Sequence, residues 1–87
     1  MKKIYKYQLQ VADVQEISLP DNAEILHVAM QSKSLCLWVL VDLFAQHIMR
    51  TFHVYGTGHP ISDNINLNYL GTVFENELVW HVFEEIK

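Results

Sequence analysis

The chain has little of what marks a dedicated chemical site. One cysteine, Cys36, in 87 residues excludes an intramolecular disulfide and every zinc motif built on paired cysteines. Six Lys and Arg stand against ten Asp and Glu, a net charge of −4, and the one basic cluster is Lys2, Lys3 and Lys6. The electrostatic footprint of a protein that grips a DNA or RNA duplex is therefore missing. The longest apolar run, Leu35 to Val41, is far too short to span a bilayer, which argues against a membrane partner. The first ten residues, MKKIYKYQLQ, alternate polar and apolar instead of forming a continuous hydrophobic stretch, so they do not read as a signal peptide. A reducing, cytoplasmic location is the expectation.

What is present is apolar and short-period. Hydrophobic residues make up 51% of the chain, which places it among folded domains, and its length predicts a single β-rich domain over residues 1–87. Ordering each residue costs about 1.5 kcal/mol, so roughly 130 kcal/mol has to be offset by burial in a domain with a large surface for its volume. Association into a homo-oligomer is the expected remedy.

The dominant period is two. Tyr5, Tyr7, Leu9 and Val11 share one face of an opening strand. Ala12-Asp13 reads as a turn into Val14 to Leu19, the two segments together predicting an opening hairpin, and Pro20-Asp21-Asn22 ends it. Glu24 to Gln31 predicts a strand with Leu26, Val28 and Met30 on one face and Ile25, His27 and Ala29 on the other. Gln31 to Ser34 is a polar hairpin turn, and Leu35 to Val41, apolar on both faces, predicts a central strand covered on both sides by a second layer or a partner subunit. Asp42 to Met49 is open between one helical turn and a long connection. Arg50 to Tyr55 alternates again, Gly56 to Pro60 breaks the pattern, and Tyr69 to Phe74 with Leu78 to Ile86 predicts a closing hairpin. The fold expected is mainly β: a small antiparallel sandwich or half-open barrel of six to seven strands with at most one short helix.

Few constellations carry chemistry. Gly56-Thr57-Gly58-His59-Pro60 is the most unusual stretch; its glycines can reach positive φ, and successive N–H groups in such a loop can form an anion-binding nest. It is neither a dinucleotide fingerprint nor a P-loop, because the third glycine and the lysine are absent. The plainer reading is a turn leaving a strand. No pair among His27, His47, His53, His59 and His81 has helical metal-ligand spacing, so no metal site is expected. His81 reads first as a sheet-face histidine satisfied by a neighbour, and Cys36 as a buried, inert thiol. Trp38, Trp80, Tyr55, Tyr69 and Arg50 could stack on a base and hold a phosphate, although such residues more often fill a core or an interface.

Taken along the chain, Ile4 to Tyr7, Leu19 to Leu26, Leu35 to Asp42, Arg50 to Pro60, Tyr69 to Val73 and Leu78 to Glu84 resemble a family of short, mostly uncharacterised proteins of tailed phages and prophages. The resemblance covers nearly the whole chain, and the glycine loop and Val79-Trp80-His81-Val82-Phe83 are its most specific parts. It implies a protein made in the cytoplasm of an infected or lysogenic bacterium, where small phage proteins frequently counter host defence by masking a protein or sequestering a nucleotide signal.

The expectation from these residues is a non-enzymatic binding protein with no catalytic residue, metal or cofactor, holding a small anionic ligand such as a nucleotide. Its ligand contacts would be Trp38, Arg50, Tyr55, Gly56, Thr57, Gly58, His59, Trp80 and His81. The alternative is an interaction module that masks a host or phage partner protein.

Overall fold

The computed structural model describes residues 1–87 and contains seven strands and no helix: β1 (Lys2–Leu9), β2 (Val14–Pro20), β3 (Glu24–Gln31), β4 (Ser34–Asp42), β5 (His47–Gly56), β6 (Leu67–Glu75) and β7 (Leu78–Glu85). They form a three-stranded sheet in the order β1-β4-β3 and a four-stranded sheet in the order β2-β5-β7-β6, every pairing antiparallel. The two sheets pack face to face as a small, flat sandwich, only 15 Å through its thinnest axis. No helix is long and apolar enough to cross a membrane.

The core lies where β4 meets β5 and β7. Leu35, Leu37, Val39 and Val41 of β4 are at most 1% exposed, and they face Leu19, Phe52 and Val82, each fully buried, from the other sheet. On the opposite face of β4 the chain itself supplies no second layer. Trp38 and Leu40 are half-buried there among cross-strand neighbours of their own sheet, Trp38 opposite Lys6 and His27. Cys36, on that same face, is buried and unpaired.

The predicted opening hairpin does not form. β1 pairs with β4, β2 pairs with β5, and residues 10–13 carry the chain from one sheet to the other. The physical reason is that β4, apolar on both faces, needs a neighbour on each side, and β1 and β3 fill those places. Tyr7 and Leu9 then meet Ile17 and Leu19 across the core instead of beside them. The crossing keeps its backbone satisfied through one side chain. Gln15 Oε1 accepts from the Gln10 N–H at 2.8 Å while its Nε2 donates to the Gln10 carbonyl at 2.7 Å, imitating a strand partner.

Two further expectations are corrected by local geometry. β3 is a strand, but the register shifts between Ile25 and His27, so Leu26 is a bulge. Ile25 thereby joins Val28 and Met30 toward the core and Leu26 is left 42% exposed. Asp42 to Met49 is neither a helical turn nor a long connection. Asp42 accepts the Phe44 N–H on its carboxylate at 3.0 Å and the Ala45 N–H on its carbonyl at 3.2 Å, which closes a turn over residues 43–46 and starts β5 at His47. The β3–β4 hairpin forms where expected; Ser32 and Lys33 both take positive φ, 50° and 68°, the primed turn that matches strand twist.

One polar group closes the end of the core. Arg50 points inward from β5, donates from Nε and Nη2 to the Glu84 carboxylate of β7, the latter at 2.7 Å, and donates from Nη1 to the Ala23 carbonyl in the turn before β3. It thus ties the two sheets together, with side chains only 17% and 13% exposed for Arg50 and Glu84. Arg50→Ala, which strands that carboxylate, is expected to lower stability by about 3–5 kcal/mol. Arg50→Met combined with Glu84→Leu should recover most of the loss, both read from denaturant midpoints.

Candidate functional site

Gly56 to His59 is a β-turn, and its internal bonds determine what it offers a ligand. The His59 N–H donates to the Gly56 carbonyl at 3.1 Å, and Gly58, third of the four residues, has φ +87°, the type II arrangement. The His59 ring folds back over the turn and accepts the Gly56 N–H on Nδ1 at 3.2 Å. It lies so close that a Cβ on residue 56 would sit 2.8 Å from His59 Cε1, so glycine is required there for approach. Two of the four loop N–H groups, those of Gly56 and His59, are therefore bonded within the turn, leaving Thr57 and Gly58 facing outward. Half of the predicted anion nest is thus used by the turn itself, one N–H of it on the His59 ring.

The side chains around the turn make a more extensive feature. On β5 the alternation puts His53 and Tyr55 on the outer face of the four-stranded sheet, away from Phe52 and Val54. Pairing sets Phe83 and His81 of β7 opposite them, and Tyr69 and Thr72 of β6 opposite those in turn. A hydrogen-bonded chain crosses two strands, β6 and β7, and the loop. Tyr69 Oη lies 2.6 Å from Thr72 Oγ1, which lies 3.0 Å from His81 Nδ1, and His81 Nε2 lies 2.8 Å from Thr57 Oγ1. A neutral imidazole donates from one nitrogen and accepts at the other, so the chain is satisfied running in either direction. Beside it, His53 Nε2 meets Glu85 Oε1 at 2.8 Å while Nδ1 lies 3.3 Å from Tyr55 Oη. Tyr55 stacks nearly parallel to His53, and its edge meets Phe83 at 5.8 Å between centroids.

Between this face and the β1–β2 crossing lies a cleft of about 450 Å³ lined by Asp13, Val14, His53, Tyr55, His59 and Pro60. Burial, and then the negative charges of Asp13 and Glu85, push the Tyr55 phenol above its ordinary value, so it keeps its proton and can donate. Neither lysine nor arginine lines the cleft.

The structure brings only part of the expected site together. Tyr55, Gly56, Thr57, Gly58, His59, Trp80 and His81 form one neighbourhood, in which Trp80 is the cross-strand partner of Gly56 and lines a cleft of about 220 Å³ with Gly56, Thr57 and His59. Trp38 lies on the outer face of the other sheet, where its ring meets His27 at 5.9 Å. Trp80 faces inward from β7, packs against the core, and donates its Nε1–H to Glu75 Oε1 at 3.2 Å. Arg50 is held at the far end of the sandwich by Glu84 and Ala23. The stack-and-clamp arrangement of two tryptophans and an arginine around the glycine loop is therefore absent. Trp38 stands on the other sheet and Arg50 at the far end of β5, so of these three only Trp80 borders the turn. Sequence reasoning missed Asp13, His53, Thr72, Phe83 and Glu85. The alternation of His53 with Tyr55 was visible in the sequence, but their partners on β6 and β7 depend on register.

The tyrosines supply a test of these surroundings. Tyr7 is also raised, by burial and then by Tyr5. Both phenols stay neutral in the folded chain at a pH where the unfolded chain ionises them, so stability is full below about pH 10 and is lost as pH rises through the folded values. Thermal midpoints measured from pH 8 to 12 should fall beyond that point, and Tyr55→Phe should make the fall shallower. An unchanged slope in that variant would place Tyr55 in ordinary solvent.

Comparison with known proteins adds a family and no activity. A family model described as a domain of unknown function, DUF7352, matches residues 1–87. Searches of curated proteins and of solved structures give no match. With the match running the full length of this sandwich, the chain belongs to the DUF7352 family.

Proposed function

We propose that this chain is a non-catalytic binding module that takes up a small planar ligand, of nucleoside size, in the cleft between the β1–β2 crossing and the Gly56–Pro60 turn. One observation carries the reading: four ring-bearing residues, His53, Tyr55, His59 and Pro60, converge on a single concavity of about 450 Å³. That volume falls in the range of about 300–1,000 Å³ usual for small-molecule sites. The rings supply apolar faces, and the Tyr55 hydroxyl and the imidazoles supply directional hydrogen bonds. Two of the rings stand on β5 and the other two on a turn that its own internal bonds hold in place, so the geometry is set before a ligand arrives.

Charge narrows the ligand class. The expected anionic group would find Asp13 in the cleft and Glu85 behind it, while Arg50 is engaged elsewhere. An uncharged heterocycle fits these groups better than a phosphate does. A role in sequestering a signal inside an infected bacterium accords with this reading, since sequestration requires binding without turnover, and the resemblance to phage proteins supports that setting.

Isothermal titration against paired nucleosides and nucleotides provides the test. At least one nucleoside should bind, no more weakly than its phosphorylated counterpart, and Tyr55→Ala or Gly56→Ala should reduce affinity by about tenfold or more. Gly56→Ala acts by displacing the His59 ring. Silence across the panel sinks the ligand reading; binding by the nucleotides alone sinks the uncharged version of it.

A further inference from the structure

The strand edges of this sandwich are protected, with one exception. β1 carries Lys2, Lys3 and Lys6 along its edge, β2 ends in Pro20, and β3 and β6 each contain a bulge, at Leu26 and Leu70. β3 and β6 also come close enough for Gly71 to abut Val28, where a Cβ would sit at 3.4 Å. Lysines, proline and bulges are the usual means of blocking edge-to-edge pairing.

The exception lies inside the four-stranded sheet. β2 pairs with β5 from His47 to His53, but β7 joins β5 only at Phe52. Along residues 47–51 one side of β5 has no neighbouring strand. Past Glu84, β7 leaves β5 but stays paired with β6, the Ile86 N–H donating to the Asn66 carbonyl at 2.9 Å in continuation of the Leu67–Glu85 register. A cleft of about 430 Å³ occupies the vacated position. Its lining identifies it as a gap in the sheet and not a hollow on one face. Ile48, Met49, Arg50 and Thr51 all line it, and consecutive strand residues point to opposite faces.

Two polar features face this gap. The Val54 N–H donates to Asp13 on the β2 side, so by the alternation of an antiparallel ladder Met49 and Thr51 turn their backbone groups toward β7's line. Thr51, 5% exposed, also holds the one buried side-chain polar atom in the chain without a hydrogen-bond partner, Oγ1. A buried hydroxyl left unpaired beside an open strand edge is a cost that an incoming strand would remove.

We propose that this gap accepts an extended segment of a partner polypeptide, which adds a short strand to β5 between it and the diverging end of β7. Five residues of β5 are open, so the segment covers about 17 Å at 3.4 Å per residue. Ile48, Met49 and Ile86 border the gap and are 42%, 56% and 57% exposed, which calls for apolar residues at alternate positions of the segment. Charge sets its sign. Arg50 is paired with Glu84, and Lys87 stands 3.9 Å from Glu85, whereas Asp21 on the rim has no ionic partner. A basic residue at the end nearer Asp21 completes the match, and the net charge of −4 favours the approach of a basic segment. This site is distinct from the cleft beside His59, and neither depends on the other.

The test is titration of the isotope-labelled full chain with a capped heptapeptide, Lys-Val-Thr-Val-Lys-Ile-Thr. Comparison peptides carry glutamate in place of both lysines or alternate N-methylated amides. The first should bind saturably and shift the Met49 and Thr51 amides most, and both changes should weaken it by about tenfold or more. Thr51→Val, which removes the hydroxyl and keeps the shape, should leave the thermal midpoint equal or higher while weakening the peptide. Met49→Pro, which deletes an N–H on the open side alone, should abolish peptide binding with β2–β5 pairing retained. Absence of saturable binding overturns the proposal, as do shifts confined to β1 or equal affinity of the N-methylated peptide. A concentration-dependent dimer that excludes the peptide overturns it in favour of a second copy in the gap.

Discussion

Removing the side chains of β4 from water is the constraint from which the rest of the architecture follows. Leu35, Leu37, Val39 and Val41 each contribute about 1.5–3 kcal/mol on burial, a sum comparable with the whole stability of a small domain. A strand that apolar needs a ladder on both sides and a sheet across from it. β1 and β3 supply the ladders, and the β2-β5-β7-β6 sheet supplies the lid. The chain must therefore change sheets between β1 and β2, again between β2 and β3, and again between β4 and β5. The Gln15 amide clamp and the Asp42 turn are the local solutions that let two of these crossings occur without orphaned backbone groups.

A core of this size closes only one interface, and the consequences show at the margins. The ends of the sandwich are closed by polar groups: Arg50 joins Glu84 to Ala23 at one end, and the His59 ring folds over its own turn at the other. Both outer faces keep rings in partial contact with solvent. The face over β5 and β7 is the more organised, because its imidazoles and hydroxyls bond one another across strands. Satisfied in this way, they hold fixed orientations, which is what a recognition surface requires. The same limited material leaves β5 longer than the partner on one of its sides, so that a stretch of strand edge persists in the middle of a sheet.

Legibility from sequence followed the range of the interaction. Six to seven β segments, the β3–β4 and β6–β7 hairpins, the buried face of β4 and the buried position of Cys36 were all readable, since alternation and turn chemistry act between near neighbours. The opening hairpin was misread because Tyr5 to Leu19 looks identical whether its two strands lie beside each other or across a core. Bulges were invisible for a related reason. Leu26 is chemically ordinary, and its exclusion from the core reflects the register that β3 must keep with Trp38 and Val39. At the site, the glycine turn was evident and its occupant was not, because the contact of His59 with Gly56 depends on a rotamer.

By itself the sequence determined that this chain would be mainly β, where most of its turns would fall, which strand would be central, and that no intramolecular disulfide or paired-cysteine metal motif was available. Those conclusions rest on spacing and composition, which the chain carries whatever its fold. Only the tertiary structure decided which strands became neighbours, and so that Arg50 is a tie between sheets instead of a ligand clamp. It also separated Trp38 from the loop, left Trp80 beside it, and gathered Asp13, His53, Tyr55 and His59 around one cleft. Register and face are properties of pairs of strands, and no single strand encodes its partner.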